Sequence, residues 1–276
     1  MPSSSSTIRM REAGGVARSP GRIGPRGLIL ASVDGRSTSE KLFRRSEDGL
    51  TEGERFRQAI EGRHLAELDG FDRVRTVDLS RPGAAVTQYT SYWCVPAATQ
   101  TMLNLVRGTS DRSYATQARL YRELRAANKY SYPTLGNDVR GWARVLTAHL
   151  PTGKAYSDHA FSSRTDAYDA IVDSMDASGR PVGIVVDRGS HAWTVVGFRV
   201  AEQVGVRGVG SRTILGFYVI GPLGAGRDPW PKAYYTVDQL STRFTRYHES
   251  TRTVVWEGLY VIVEPLQPLG AIVTGR

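Results

Sequence analysis

Gln88-Tyr89-Thr90-Ser91-Tyr92-Trp93-Cys94-Val95-Pro96-Ala97-Ala98 is the stretch on which the reading of the 276-residue chain turns. Beyond it Ala98, Met102, Leu105 and Val106 recur at helical spacing and the pattern stops at Gly108. Pro96 suits the first turn, where a missing N–H removes nothing the helix would use. Cys94 is therefore predicted at a helix N-terminus, whose free N–H groups and partial positive charge favour a thiolate. Gln88 lies six residues earlier, a spacing that can return an amide donor to the oxygen that turns negative when a thiolate attacks a carbonyl.

Cys94 is the single cysteine of the chain, so no intrachain disulfide is available to it. A lone cysteine is by default a small buried hydrophobe, and only a partner base argues otherwise. The five histidines are His64, His149, His159, His191 and His248. Of these, His191 alone opens a strand pattern: it follows Gly189-Ser190 and leads into Ala192-Trp193-Thr194-Val195-Val196-Gly197-Phe198. A rigid strand would hold its ring while the turn leaves it accessible, which makes it the candidate base.

The order of patterns predicts an α+β fold in which helices come first and strands last. Helices are expected at Tyr114 to Ala127, Val139 to Leu150 and Thr165 to Ser178, and strands at Pro181 to Val186, Ala192 to Phe198, Thr213 to Ile220 and Thr253 to Val263. Gly205 to Gly210 reads as a hairpin loop. Residues 1–50 form a basic segment rich in Ser, Gly, Pro and Arg, expected to be disordered, with the strongest bias up to about Gly35. Residues 51–80 are expected to hold a surface helix over Thr51 to Leu68 and a linker, residues 81–265 the main domain, and residues 266–276 a tail.

The formal charge is +9, from 36 basic residues of which four are lysine, and it is spread rather than gathered in a block. It reads as a solvated basic surface, and no nucleic-acid partner is expected. With 40% hydrophobic and 23% charged residues and no apolar run of about 18, the composition carries no membrane span. The run Leu28 to Val33 is too short for a signal-peptide core, and a cytoplasmic location is expected. No cofactor or metal is expected, since His-Glu-x-x-His, paired Cys-x-x-Cys and Gly-Lys-Ser/Thr signatures are all missing from the sequence.

Across about 180 residues the chain resembles the papain-like cysteine peptidases, and specifically their C39-like branch. Gln88 with Trp93-Cys94-Val95-Pro96-Ala97-Ala98 is similar to that branch's glutamine and Cys-Gly-Pro-Ala motif, with Val95 in place of glycine. Gly189 to Phe198 resembles its histidine strand, and Gly179-Arg180-Pro181-Val182 its approach to the first strand. The resemblance implies a helical lobe with the thiol, a β lobe with the histidine, a cleft between them, and a peptide or protein substrate cleaved through an acyl-enzyme. It also implies an Asp or Asn after the strand that follows the histidine, where this chain reads Tyr218-Val219-Ile220-Gly221-Pro222. Asp228, in an Asp-Pro pair seven residues on, is the first candidate carboxylate and Asp187 the second, and a backbone carbonyl or water stands level with Asp228 as the acceptor. Two further functions stay open: a degenerate domain that only binds a peptide or protein, and a thiol amidase or acyltransferase. The oligomeric state is not legible.

Overall fold

Val182–Val186 is apolar at every position but Gly183, the pattern of a strand covered on both faces. In the computed structural model, which describes residues 71, 73–130, 135–205, 208–249 and 254–266, this strand (β3) is covered in that way. Val182, Ile184 and Val186 enter one apolar cluster and Val185 the other. Gly183 gives the second face its close approach: a Cβ there would stand 2.4 Å from Cη2 of Trp142, which is itself fully buried. The expectations for residues 1–50, for the Thr51 to Leu68 helix and for the tail past 266 lie outside the described residues.

The order of elements is β1 (Arg73–Asp78), α1 (Cys94–Arg107), α2 (Tyr114–Ala127), α3 (Val139–Ala148), β2 (Tyr156–Phe161), α4 (Arg164–Ser178), β3, β4 (His191–Gly205), β5 (Gly208–Ile220), β6 (Ala233–Thr236), α5 (Val237–Ser241) and β7 (Tyr260–Pro265). One seven-stranded sheet runs β2-β7-β3-β4-β5-β6, and β1 continues the edge of β4 beyond β3. Every pairing is antiparallel. This mixture of helices and antiparallel sheet is α+β and is compatible with a papain-like fold.

Local chemistry accounts for the helix boundaries. Ser113, Asp138 and Ser163 cap α2, α3 and α4 through their side chains, on N–H groups of Thr116, Gly141 and Asp166. Gly108 and Gly179 end α1 and α4 in the left-handed conformation, at φ 73° and 62°. Residues of α1, α2 and α3 pack on one sheet face around Trp142, Leu146 and Met102, and α4 packs on the other around Ile171, Trp193 and Phe217.

The strands depart from expectation in several places, β6 among them, which no strand pattern marked. β1 lies in the stretch read as linker; its Arg73 and Arg75 both bond Glu202 of β4 at 2.7 Å, so cross-strand ion pairing replaces apolar alternation. β2, in the stretch Tyr-Ser-Asp-His-Ala-Phe, has no strand periodicity and is held by pairing with β7 and by its buried Tyr156 hydroxyl, which donates to Pro181 O at 3.0 Å. β4 and β5 run past their predicted limits, so the glycine-rich loop narrows to the link between Gly205 and Gly208. At the end of the domain only Tyr260–Pro265 is strand, and the preceding Val254 and Trp256 are buried in a turn. None of the helices among the described residues is long and apolar enough to cross a membrane.

Candidate active site

Cys94 is the first residue of α1, and no side chain caps that helix, so its first N–H groups are left for another partner. The loop before it is pinned from several sides. Gln88 N bonds Pro222 O at 2.8 Å, Tyr89 N bonds Gln117 Oε1 at 2.9 Å, and Val86 N bonds Thr101 Oγ1 at 3.0 Å. The thiol is partly exposed at the edge of the cluster beneath α1, α2 and α3.

His191 opens β4 directly after a tight turn. Asp187, Arg188 and Gly189 all have positive φ (52°, 59° and 95°), a conformation two non-glycine residues hold only under constraint. The constraint is visible: Asp187 accepts two bonds from the Arg243 guanidinium, each at 2.6 Å, and Arg188 N donates to Thr245 Oγ1 at 2.9 Å. The turn therefore fixes the backbone from which the imidazole projects. It also commits the Asp187 carboxylate to Arg243 rather than to His191.

The second carboxylate of interest lies on the ring. His191 Nε2 is 2.8 Å from Asp228 Oδ2, and the Asp228 side chain is fully buried. The same carboxylate accepts from Trp193 Nε1 at 3.1 Å and from Leu223 N at 2.7 Å. Gly221 explains how Asp228 gets there. A Cβ at Gly221 would stand 2.5 Å from both Cβ and Cγ of Asp228, so the carboxylate fills the space a side chain at 221 would take. The glycine and the distant aspartate are one arrangement.

With Nε2 turned to Asp228, the other ring nitrogen is free of that carboxylate, and His191 shares one cavity lining with Cys94. Burial pushes the His191 pKa down, but the bonds and charges of Asp228 and Cys94 outweigh it and raise the value to about 9. Asp228 is affected in the complementary sense: burial works to raise it, yet the bond with His191 and the Leu223 amide hold it below the usual carboxylate range.

Cys94 and His191 both line a cavity of about 280 Å³, walled by Val95, Val139, Val185 and Ala192 among others. Gln88 is not one of its lining residues. Its amide Nε2 donates to Thr90 O at 2.6 Å, and its Oε1 is buried without a partner. The remaining described histidines pair with glutamates, His149 with Glu123, His159 with the buried Glu264 and His248 with Glu257. Among the described residues no group of three or more His, Cys, Asp or Glu side chains is arranged to hold a metal ion.

Two contributors were missed in the sequence. Trp193 donates to Asp228, and its position two residues after His191 on a strand, hence on the same face, was a usable signal. The Leu223 amide carried no signal, because a main-chain donor is identified only by the loop that bends it.

The chain belongs to the Peptidase_C39 like family, whose family model matches residues 84–251, a span that includes Gln88, Cys94, His191 and Asp228. A comparison with curated proteins finds no match.

Proposed function

We propose that the protein is a cysteine peptidase in which Cys94 attacks a peptide carbonyl, with His191 as base and then acid and Asp228 as the group that orients it. The observation that carries this reading is the buried Asp228 carboxylate at 2.8 Å from Nε2 of His191, a residue that lines the same cavity as Cys94. A histidine serves a thiol well when its second nitrogen is held by an acceptor, because tautomer and ring angle are then fixed.

In the reaction, the Cys94 sulfur bonds to the carbonyl carbon and the carbonyl oxygen becomes an oxyanion. The N–H of Cys94, at the uncapped start of α1, is the first donor to that oxygen. Gln88 is proposed as the second, using the amide hydrogen not engaged by Thr90. Protonated His191 then gives its proton to the leaving amine, and the acyl-thioester remains. Water, activated by the now neutral imidazole, completes hydrolysis. In this reading the thiol comes from a helical half and the histidine from a β half, and residues 81–265 with β1 form the catalytic unit.

The binding-only alternative rests on Gly221 and on Val95 in place of glycine; the Asp228 contact at position 221 favours the enzyme on the first of these. Turnover of a neutral fluorogenic peptide tests the choice. Cys94→Ala is expected to abolish it and Asp228→Asn to reduce it about a hundredfold or more. Activity retained in Cys94→Ala would overturn the assignment.

A further inference from the structure

His191 and Asp228 stand 37 positions apart in the chain, and one residue outside the pair reaches the support of each. Arg243 follows α5, its N–H donating to Leu240 O at 3.0 Å. Towards the histidine it closes on the turn that precedes the ring. Asp187 N donates to Arg243 O at 2.8 Å, and the guanidinium donates to both Asp187 oxygens, each at 2.6 Å. Towards the aspartate, the same guanidinium lies over the Trp193 indole, with its central carbon 4.8 Å from the ring centroid. The Tyr235 ring meets that indole in a T-shaped contact at 5.6 Å.

The indole matters because it helps to set the rotation of the carboxylate. Asp228 Oδ1 accepts from Trp193 Nε1 at 3.1 Å, while Oδ2 accepts from Leu223 N at 2.7 Å and lies 2.8 Å from His191 Nε2. The terminal torsion of an aspartate is soft, so the direction of Oδ2 is fixed only when both oxygens are held. Trp193 is fully buried, and its place follows from the groups that pack on it. A guanidinium suits both of its contacts here: its plane covers an aromatic face, and its fork matches the two oxygens of a carboxylate. A lysine matches the charge but neither the plane nor the fork.

We propose that Arg243 is a positioning residue of the site: its fork on Asp187 fixes the backbone before His191, and its contact with Trp193 fixes the rotation of the Asp228 carboxylate. One side chain thereby sets both ends of the His191–Asp228 bond. The two routes are separable, because Asp187 touches the turn and Trp193 touches the carboxylate. This inference rests on the cysteine peptidase reading and adds to it what holds the histidine and its acceptor in register.

The test follows the His191 ring by NMR titration in the full chain, beside turnover of a neutral peptide. The ring responds to Cys94 and Asp228, and the titratable groups around Arg243 are Asp187, Asp228 and Tyr235. Arg243→Lys keeps the charge among these groups and loses the fork and the plane. A weakened bond to Asp228 should then lower the His191 pKa by about half a unit to one unit, the scale of one impaired hydrogen bond. Turnover should fall about tenfold with KM little changed, less than the roughly hundredfold that a misplacement of about an ångström costs. Trp193→Phe, which leaves a ring under the guanidinium but no N–H, should move the pKa in the same direction. Asp187→Asn keeps one acceptor oxygen for the fork and leaves the indole contact, so the His191 titration should stay in place. A pKa unmoved in Arg243→Lys or in Trp193→Phe, or moved as far in Asp187→Asn as in Arg243→Lys, would overturn the proposal. An unmutated protein that turns over no peptide would overturn the peptidase reading instead, while the NMR titration still decides what places the carboxylate.

Discussion

Replacing Gly221 by alanine is expected to disable the site without touching any group that takes part in the chemistry. The new Cβ would lie 2.5 Å from Cβ and Cγ of Asp228 and 2.7 Å from its Oδ2. Ordinary carbon contacts are about 3.5 to 4.0 Å, so Asp228 must withdraw by roughly an ångström. Such a shift breaks three bonds at once, to His191 Nε2, Trp193 Nε1 and Leu223 N. Leaving a shielded indole N–H and a backbone N–H without acceptors costs about 1 to 3 kcal/mol each, so a loss of about 2 kcal/mol or more in unfolding free energy is expected. Turnover should fall by about a hundredfold or more, as for other histidines that lose their orienting carboxylate. The assay pairs steady-state turnover of a neutral peptide with denaturant unfolding of the same preparation. The double variant Gly221→Asp with Asp228→Gly supplies the control, since a carboxylate at 221 would occupy the space Asp228 leaves and should recover part of the activity. Turnover and stability of Gly221→Ala equal to those of the unmutated protein would refute the reasoning.

Four further outcomes follow from the structure. The His191 pKa is raised from 6.5 to about 9, so its contribution to stability is fully present below about 6.5 and is lost as pH rises through about 9. That interval corresponds to roughly 3 kcal/mol, and denaturant unfolding at pH 6.5 and 9.5 should show a smaller difference in Asp228→Asn than in the unmutated protein. The alkaline limb of turnover should likewise fall near pH 9 and move to lower pH in Asp228→Asn. Asp187→Asn should weaken the turn held by Arg243 and lower stability without moving that limb, because Asp187 serves the backbone before His191 and not its ring. Trp142→Ala should destabilise by about 3 to 5 kcal/mol, measured by denaturant unfolding, since the ring fills the space above Gly183.

What could be read in the sequence was what periodicity and caps encode locally. The helix over Tyr114–Ala127 is found at the limits expected from its spacing, and Cys94 begins a helix because the apolar repeat after Pro96 leaves little alternative. β1 and β2 were not legible, because Arg73, Arg75 and Tyr156 are satisfied by residues more than twenty positions away and not by alternation. The site divides along the same line. Cys94 and His191 stood out through their own neighbours. Asp228 entered only as one of several acceptors, since its reach to His191 spans 37 positions and depends on the absence of a side chain at Gly221.

The central claim is that Cys94 forms an acyl-thioester with the help of His191, and intact-mass spectrometry of the protein mixed with an activated ester of a neutral peptide at neutral pH tests it most directly. One acyl group on Cys94 is predicted in the unmutated protein, none in Cys94→Ala, and a rate lower by about tenfold or more in His191→Ala. An unacylated Cys94 in the folded protein, or equal acylation rates with and without His191, would contradict the account.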